Sequence, residues 1–198
     1  MGHNLRFVLL FVIALALFAP VQAQSSESSR EEKGVVETGV YISPQFANEV
    51  TWTEAWEIDD AGLQTDNTML LDKISLSYKN QATAVIMFIE AGGETPDDYA
   101  RRLIRYRKVA EPLAEIVWSD SDDVTSVMLY ASIEGERDVA SLIEIRLVDD
   151  ERTLQVVELL LYPEYADTVF ELAQTDIVID GDAPFSFVDE FPTDEIDS

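Results

Sequence analysis

Three strand-like runs constrain the fold of this chain more than any other feature. Val124 to Ile133, Leu142 to Val148 and Leu154 to Tyr162 are dominated by aliphatic, β-branched and aromatic residues, with Glu134-Gly135-Glu136 and Asp149-Asp150-Glu151-Arg152 breaking them apart. Such short breaks leave no room for a crossover helix, so the three runs predict an antiparallel meander. In the middle run Ile143, Ile145 and Leu147 fall on one face and Glu144 and Arg146 on the other.

Strand signals continue upstream. Gly39 to Ser43 is short and stops at Pro44, which has no donor for a ladder. Ile74, Leu76 and Tyr78 alternate with Lys73, Ser75 and Ser77, the period of a strand with one buried face. Ala84 to Ile89 is apolar at every position and predicts a central strand covered on both sides. Lys79-Asn80-Gln81 between these two runs has hairpin length.

Two helices interrupt the strands. Thr95 suits an N-cap, Pro96 the first helical position, and Asp97 and Asp98 the positive end of the dipole. Tyr99, Leu103, Tyr106, Ala110, Leu113 and Val117 then recur at helical spacing, with Pro112 as a kink or division. A second helix begins at Pro163 and should bury Ala166, Val169, Phe170 and Ala173. The predicted class is α+β, an antiparallel sheet flanked by helices.

Ahead of this domain, Phe7 to Ala19 is an uninterrupted apolar run after the basic Arg6, followed by Pro20 and Val21-Gln22-Ala23. That layout predicts an export signal cleaved after Ala23. The run is shorter than the roughly 20 residues a spanning helix needs, and an uncleaved anchor is the alternative. The expected organisation is a leader at 1–23, a flexible polar linker at 24–38, the α+β domain at 39–188 and an acidic tail at 189–198. The expected location is secreted or extracytoplasmic, without stable membrane insertion once the leader is gone.

Charge and residue usage exclude much chemistry. The chain has 39 acidic against 13 basic side chains, a formal net charge of −26, and removing the leader takes away only one of the bases, Arg6. Such a surface repels nucleic acid and favours solubility. No cysteine is present, and the only histidine is His3, inside the leader. The mature chain therefore lacks an imidazole, a thiol and the two usual zinc ligands, and no cofactor is expected.

The opening of the domain reads Tyr41-x-Ser43-Pro44-x-Phe46-x-x-x-Val50-x-Trp52-x-x-x-Trp56. It resembles the start of PsbP-like domains, a family that includes many exported bacterial proteins. The order of strands and helices suits that family over roughly Gly39 to Phe187, and Ile177 to Phe185 looks like its closing strand and turn. Ala47 stands where the family usually has glycine, and Asn48 where it has a second aromatic residue. The resemblance implies a non-catalytic domain that works by docking to other proteins, and it supplies no catalytic residues.

Few residues suggest chemistry of their own. Trp52 and Trp56 would serve as a stacking platform or as core, and the alternation around Trp52 favours core. Asp120, Asp122 and Asp123 supply oxygens at close spacing, yet the glycine and the distal glutamate of a calcium loop are missing, so a solvated turn between helix and strand is the better reading. Asp180-Gly181-Asp182 reads as a tight turn. A pair of carboxylates would support glycoside hydrolysis, but nothing singles out one pair among 39 acids.

Arg101, Arg102, Arg105, Arg107 and Lys108 are the exception to the acidity. Arg101, Arg105 and Lys108 fall opposite the apolar stripe, as either a solvated helix face or a docking strip for an acidic partner or for the chain's own tail. The leading expectation is an exported, non-catalytic binding domain whose protein partner is unknown. A calcium- or small-ligand-binding module comes second and a carboxylate-dependent hydrolase third.

Overall fold

The computed structural model describes residues 35–37, 39–43, 48–61, 69–110, 115–120, 124–131, 139–148, 152–186 and 188, and backbone alone at 35–37, 107–110, 115–120 and, Thr125 apart, 124–131. The segments expected as leader and tail, together with Pro44, Phe46, Ala47, Pro112, Asp122 and Asp123, lie outside the described residues.

Eleven strands are described: β1 (Val35–Glu37), β2 (Val40–Ile42), β3 (Glu49–Trp52), β4 (Glu57–Ala61), β5 (Leu70–Tyr78), β6 (Ala82–Glu90), β7 (Glu115–Asp120), β8 (Val124–Ala131), β9 (Val139–Val148), β10 (Thr153–Leu161) and β11 (Ile177–Ile179). Two helices join them, α1 (Pro96–Ala110) and α2 (Ala166–Asp176), the second led by a 3-10 turn at Pro163–Tyr165. The strands form a seven-stranded sheet, β4-β5-β6-β10-β9-β8-β7, and a four-stranded sheet, β1-β2-β3-β11. Every pairing is antiparallel. The α+β class expected from the sequence is the class observed.

The meander forms as its short links require: β8 pairs with β9 and β9 with β10. The β5–β6 hairpin turns at Lys79 and Asn80, both with positive φ, and the Gln81 N–H closes the turn on the Tyr78 carbonyl at 2.7 Å. Positive φ at both central positions matches the right-handed twist of the flanking strands. Asn tolerates that conformation better than most residues, and Lys79 takes it against its own preference.

Strand β6 is buried on both faces, as its unbroken apolar run predicts. Ala84, Ile86 and Phe88 join Val157, Leu159, Leu142 and Leu76 on one side. Val85, Met87 and Ile89 join Leu154, Val156, Leu160, Ile143 and Ile145 on the other. The first face is closed by α2, through Ala166, Val169, Phe170 and Ala173, and by the four-stranded sheet, through Tyr41, Val50, Ile177 and Ile179. The second is closed by α1, through Tyr99, Ala100 and Leu103. The result is three layers with the long sheet in the middle.

The start of α1 follows its sequence signals. The Asp98 N–H donates to Thr95 Oγ1 at 3.1 Å, and Pro96, Asp97 and Asp98 fill the first turn. Its end does not. The apolar stripe predicts helix through Leu113 to Val117, whereas α1 ends at Ala110 and Glu115–Asp120 is strand β7. Pro112 has no N–H to give a helix and disfavours helical backbone at the residue before it, and Ile116-Val117-Trp118 prefers extended chain. The helical repeat thus stops at Ala110, and the apolar residues from Ile116 on belong to a strand.

The fold also starts before residue 39. Val35–Glu37, inside the segment expected to be linker, pair with β2 as an edge strand. Gly39 allows this turn: its φ is +74°, and a Cβ there would lie 2.7 Å from the Trp52 carbonyl oxygen.

Candidate functional site

Two sets of charged side chains stand out, one exposed on α1 and one buried on the opposite face of the long sheet. On α1, Arg101 is 62% exposed and reaches back one turn to Asp97 Oδ2 at 2.7 Å. Arg102 forms two parallel hydrogen bonds to Glu94, Nε to Oε1 and Nη2 to Oε2, each 2.9 Å. Its guanidinium also stacks over the Tyr99 ring at 4.7 Å. Arg105 is exposed, and its Nε donates to the Arg101 carbonyl at 3.3 Å. The apolar stripe of α1 faces the sheet, so these arginines line its outer side, where sequence reasoning put Arg101 and Arg105. The Lys108 and Arg107 side chains lie outside the described residues. Glu94, just ahead of the cap, and Asp97 in the first turn offset part of the positive charge, which sequence reasoning did not anticipate.

The buried set gathers toward one end of the other face. Register places Asp72, Phe88, Gln155 and Arg146 in one row across β5, β6, β10 and β9, with Glu144 one row further in. Tyr41, fully buried on β2, donates its hydroxyl to Asp72 Oδ1 at 2.6 Å, and the Lys73 N–H donates to the same oxygen at 2.8 Å. Burial, with the neighbouring Asp72, pushes the Tyr41 hydroxyl far above the ordinary phenol range. This bond fastens the small sheet to the large one.

Glu144 is 1% exposed and fastens the other terminal segment. Its Oε1 accepts from Arg146 Nε at 3.0 Å and Nη2 at 2.8 Å. Its Oε2 accepts the Phe185 N–H at 2.6 Å. Burial raises the Glu144 carboxyl above the usual range, against the opposing pull of Arg146. Phe185 has a φ of +58°, rare for an aromatic residue, and Gln174 Nε2 grips the same turn through the carbonyls of Phe185 (2.9 Å) and Val188 (3.0 Å). Backbone in that region persists where its surroundings over-determine it, which these three bonds do.

The buried acids do not converge. Three inter-strand steps separate Asp72 from Glu144, roughly 14 Å at the usual strand spacing. Each carboxylate is turned to its own partners, Asp72 to Tyr41 and Glu144 to Arg146 and Phe185, and not to the other as a glycosidase pair would face a shared bond. The third buried acid, Glu158, faces α1 and accepts from Ser141 Oγ at 2.8 Å. Among the described residues no group of three His, Cys, Asp or Glu side chains is arranged to hold a metal ion.

The other residues raised by the sequence have packing roles. Trp56 is buried against Tyr78, ring centroids 5.6 Å apart, and Trp52 is half-buried against the same core. Asp180 and Gly181 make the predicted tight turn at positive φ, Asp180 Oδ1 accepts the Glu49 N–H at 2.7 Å, and Asp182 lies 3.7 Å from Arg146. Asp120 closes β7 opposite Thr125 of β8, so the acidic segment follows a strand and not the helix expected from the sequence. No helix among the described residues is long and apolar enough to cross a membrane. No family model, no curated protein and no solved structure matches the chain.

Proposed function

We propose that this chain is an exported, non-catalytic binding domain that docks onto an acidic protein partner through the outer face of α1. The observation that carries the reading is the exposed row Arg101, Arg102 and Arg105, on one side of one helix in a chain of net charge −26. Arginines already extended by local ion pairs lose less freedom on meeting a carboxylate, and their planar heads bind it bidentately. The buried carboxylates Asp72 and Glu144 hold chain segments in place, which suits a binding scaffold better than a hydrolase. The resemblance of the opening segment to PsbP-like domains points the same way, toward docking.

Oligoglutamate is the probe for the test, titrated against the full chain and against the variant Arg101→Glu, Arg105→Glu, Lys108→Glu. The wild type should bind it at low salt and lose affinity as salt rises, because exposed charges are screened over roughly 10 Å at 0.1 M. The variant should stay folded, exposed charges contributing little to stability, and should lose the binding. Equal affinity of both proteins at low ionic strength removes the docking role of this face.

A further inference from the structure

The two edges of the long sheet are built differently. An unpaired edge presents a row of N–H and C=O groups that any extended chain can satisfy, and proteins usually blunt it with charge, bulges or cover. The β4 edge is blunted twice. Its register breaks between Ile58 and Asp60, and its sequence Glu57-Ile58-Asp59-Asp60-Ala61 holds three acids, with Asp60 salt-bridged to Lys73 at 3.6 Å. The β7 edge has no bulge and no charge at its centre. Six successive pairs, from Glu115↔Tyr130 to Asp120↔Thr125, run without a register shift, and Ile116-Val117-Trp118-Ser119 at the centre carries no charge. Among the described residues β8 is its one strand neighbour.

The charges that β7 does carry sit at its two ends, Glu115 and Asp120, and both are negative. They select the occupant. A second copy pairing antiparallel through β7 would set Glu115 opposite its partner's Asp120 and bring two chains of net charge −26 together. Like charges directly opposite destabilise a strand pair. An extended segment with an uncharged middle and a lysine or arginine at each end meets an acid at both ends in either strand direction. We infer that the outer edge of β7 is a docking site of its own, taking such a basic-ended extended segment of another protein as an eighth strand. Main-chain hydrogen bonds would supply the affinity and the end charges the selectivity, the usual division in strand addition.

The test uses the full chain and a capped synthetic peptide, Lys-Val-Thr-Val-Thr-Lys, with a Glu-ended counterpart. Titration should show the Lys-ended peptide binding about tenfold or more tightly than the Glu-ended one at low salt, as opposed charge juxtapositions require. Hydrogen exchange should show alternate amides of 115–120 gaining protection on binding. Of two versions of the peptide N-methylated on alternate amides, one should lose binding and the other keep it. The double variant Glu115→Lys, Asp120→Lys should reverse the preference toward the Glu-ended peptide, a gain that misfolding cannot imitate. The inference is overturned if neither peptide binds, if end charge makes no difference, or if both methylated peptides bind as well as the parent. It is equally overturned if the alternate β7 amides are protected in the free chain, with sedimentation telling a second copy from cover by the chain itself.

Discussion

The two faces of the seven-stranded sheet bury similar aliphatic side chains but are closed in different ways. Toward α1, Val85, Met87, Ile143, Ile145, Val156 and Leu160, with the Glu158–Ser141 pair of neighbouring strands buried among them, meet a single amphipathic helix, and its outer side remains exposed. Toward α2 and the small sheet, the aliphatic layer ends in buried polar anchors: Tyr41 on Asp72, and Glu144 on Phe185 and Arg146. Apolar contact is non-directional, so it can hold a helix against a sheet in several nearly equal positions. A buried carboxylate tolerates one arrangement of donors, because any other leaves it unpaired at high cost. The anchored face thus fixes where the two terminal segments lie, and the helical face presents charge to the outside.

Substitutions on each face test that contrast. The largest effect is expected from Glu144→Ala, which leaves the Phe185 N–H without its acceptor and the Arg146 guanidinium with only the exposed Asp182, 3.7 Å away. Loss of one partner of a buried pair typically costs about 3–5 kcal/mol, read as a lowered denaturation midpoint. The pH dependence has a definite sign. The native Glu144 carboxyl titrates above its ordinary range, so its contribution is full below that range and is lost as pH rises through the native value. The gap between wild type and Glu144→Ala should therefore be widest in acid and narrow as pH rises; a gap that widens with pH would reassign the shift.

A smaller loss is expected from Tyr41→Phe, which keeps the ring in the core and removes the donor to buried Asp72. Leaving that acceptor short costs about 1–3 kcal/mol, with hydrogen exchange in β2 and β3 rising ahead of β6 and β10. Uniform loosening across both sheets would mean that Tyr41 does not fasten one to the other. The smallest effect falls on the helical face. Thr95→Ala removes the cap of α1 and should cost about 1 kcal/mol in thermal unfolding. Were it to match Glu144→Ala, the distinction between an anchored face and a face held by packing would fail.

What the residues determined by themselves is local. Alternation and short links specified the meander, Asn80 with its neighbour specified the hairpin turn, Thr95-Pro96-Asp97-Asp98 specified where α1 begins, and Ala166, Val169, Phe170 and Ala173 specified the inner side of α2. Each depends on groups a few residues apart, whose spacing along the chain is their spacing in space. The exposed arginines were legible for the same reason, through the helical wheel. The anchors were not. Tyr41 and Asp72 are 31 residues apart, and Glu144 and Phe185 are 41. Alternation showed Glu144 opposite Ile143 and Ile145, but whether that face met water or a second layer depended on where β11 and α2 returned. The end of α1 at Ala110 and the pairing of β7 with β8 also waited on the fold, since the apolar residues of 113–117 fit a helical stripe and a strand alike until β8 supplied a hydrogen-bonding partner. Only tertiary structure brings distant backbone and side-chain groups within bonding distance, because the entropy of closing those loops is offset only when a whole shared core is buried at once.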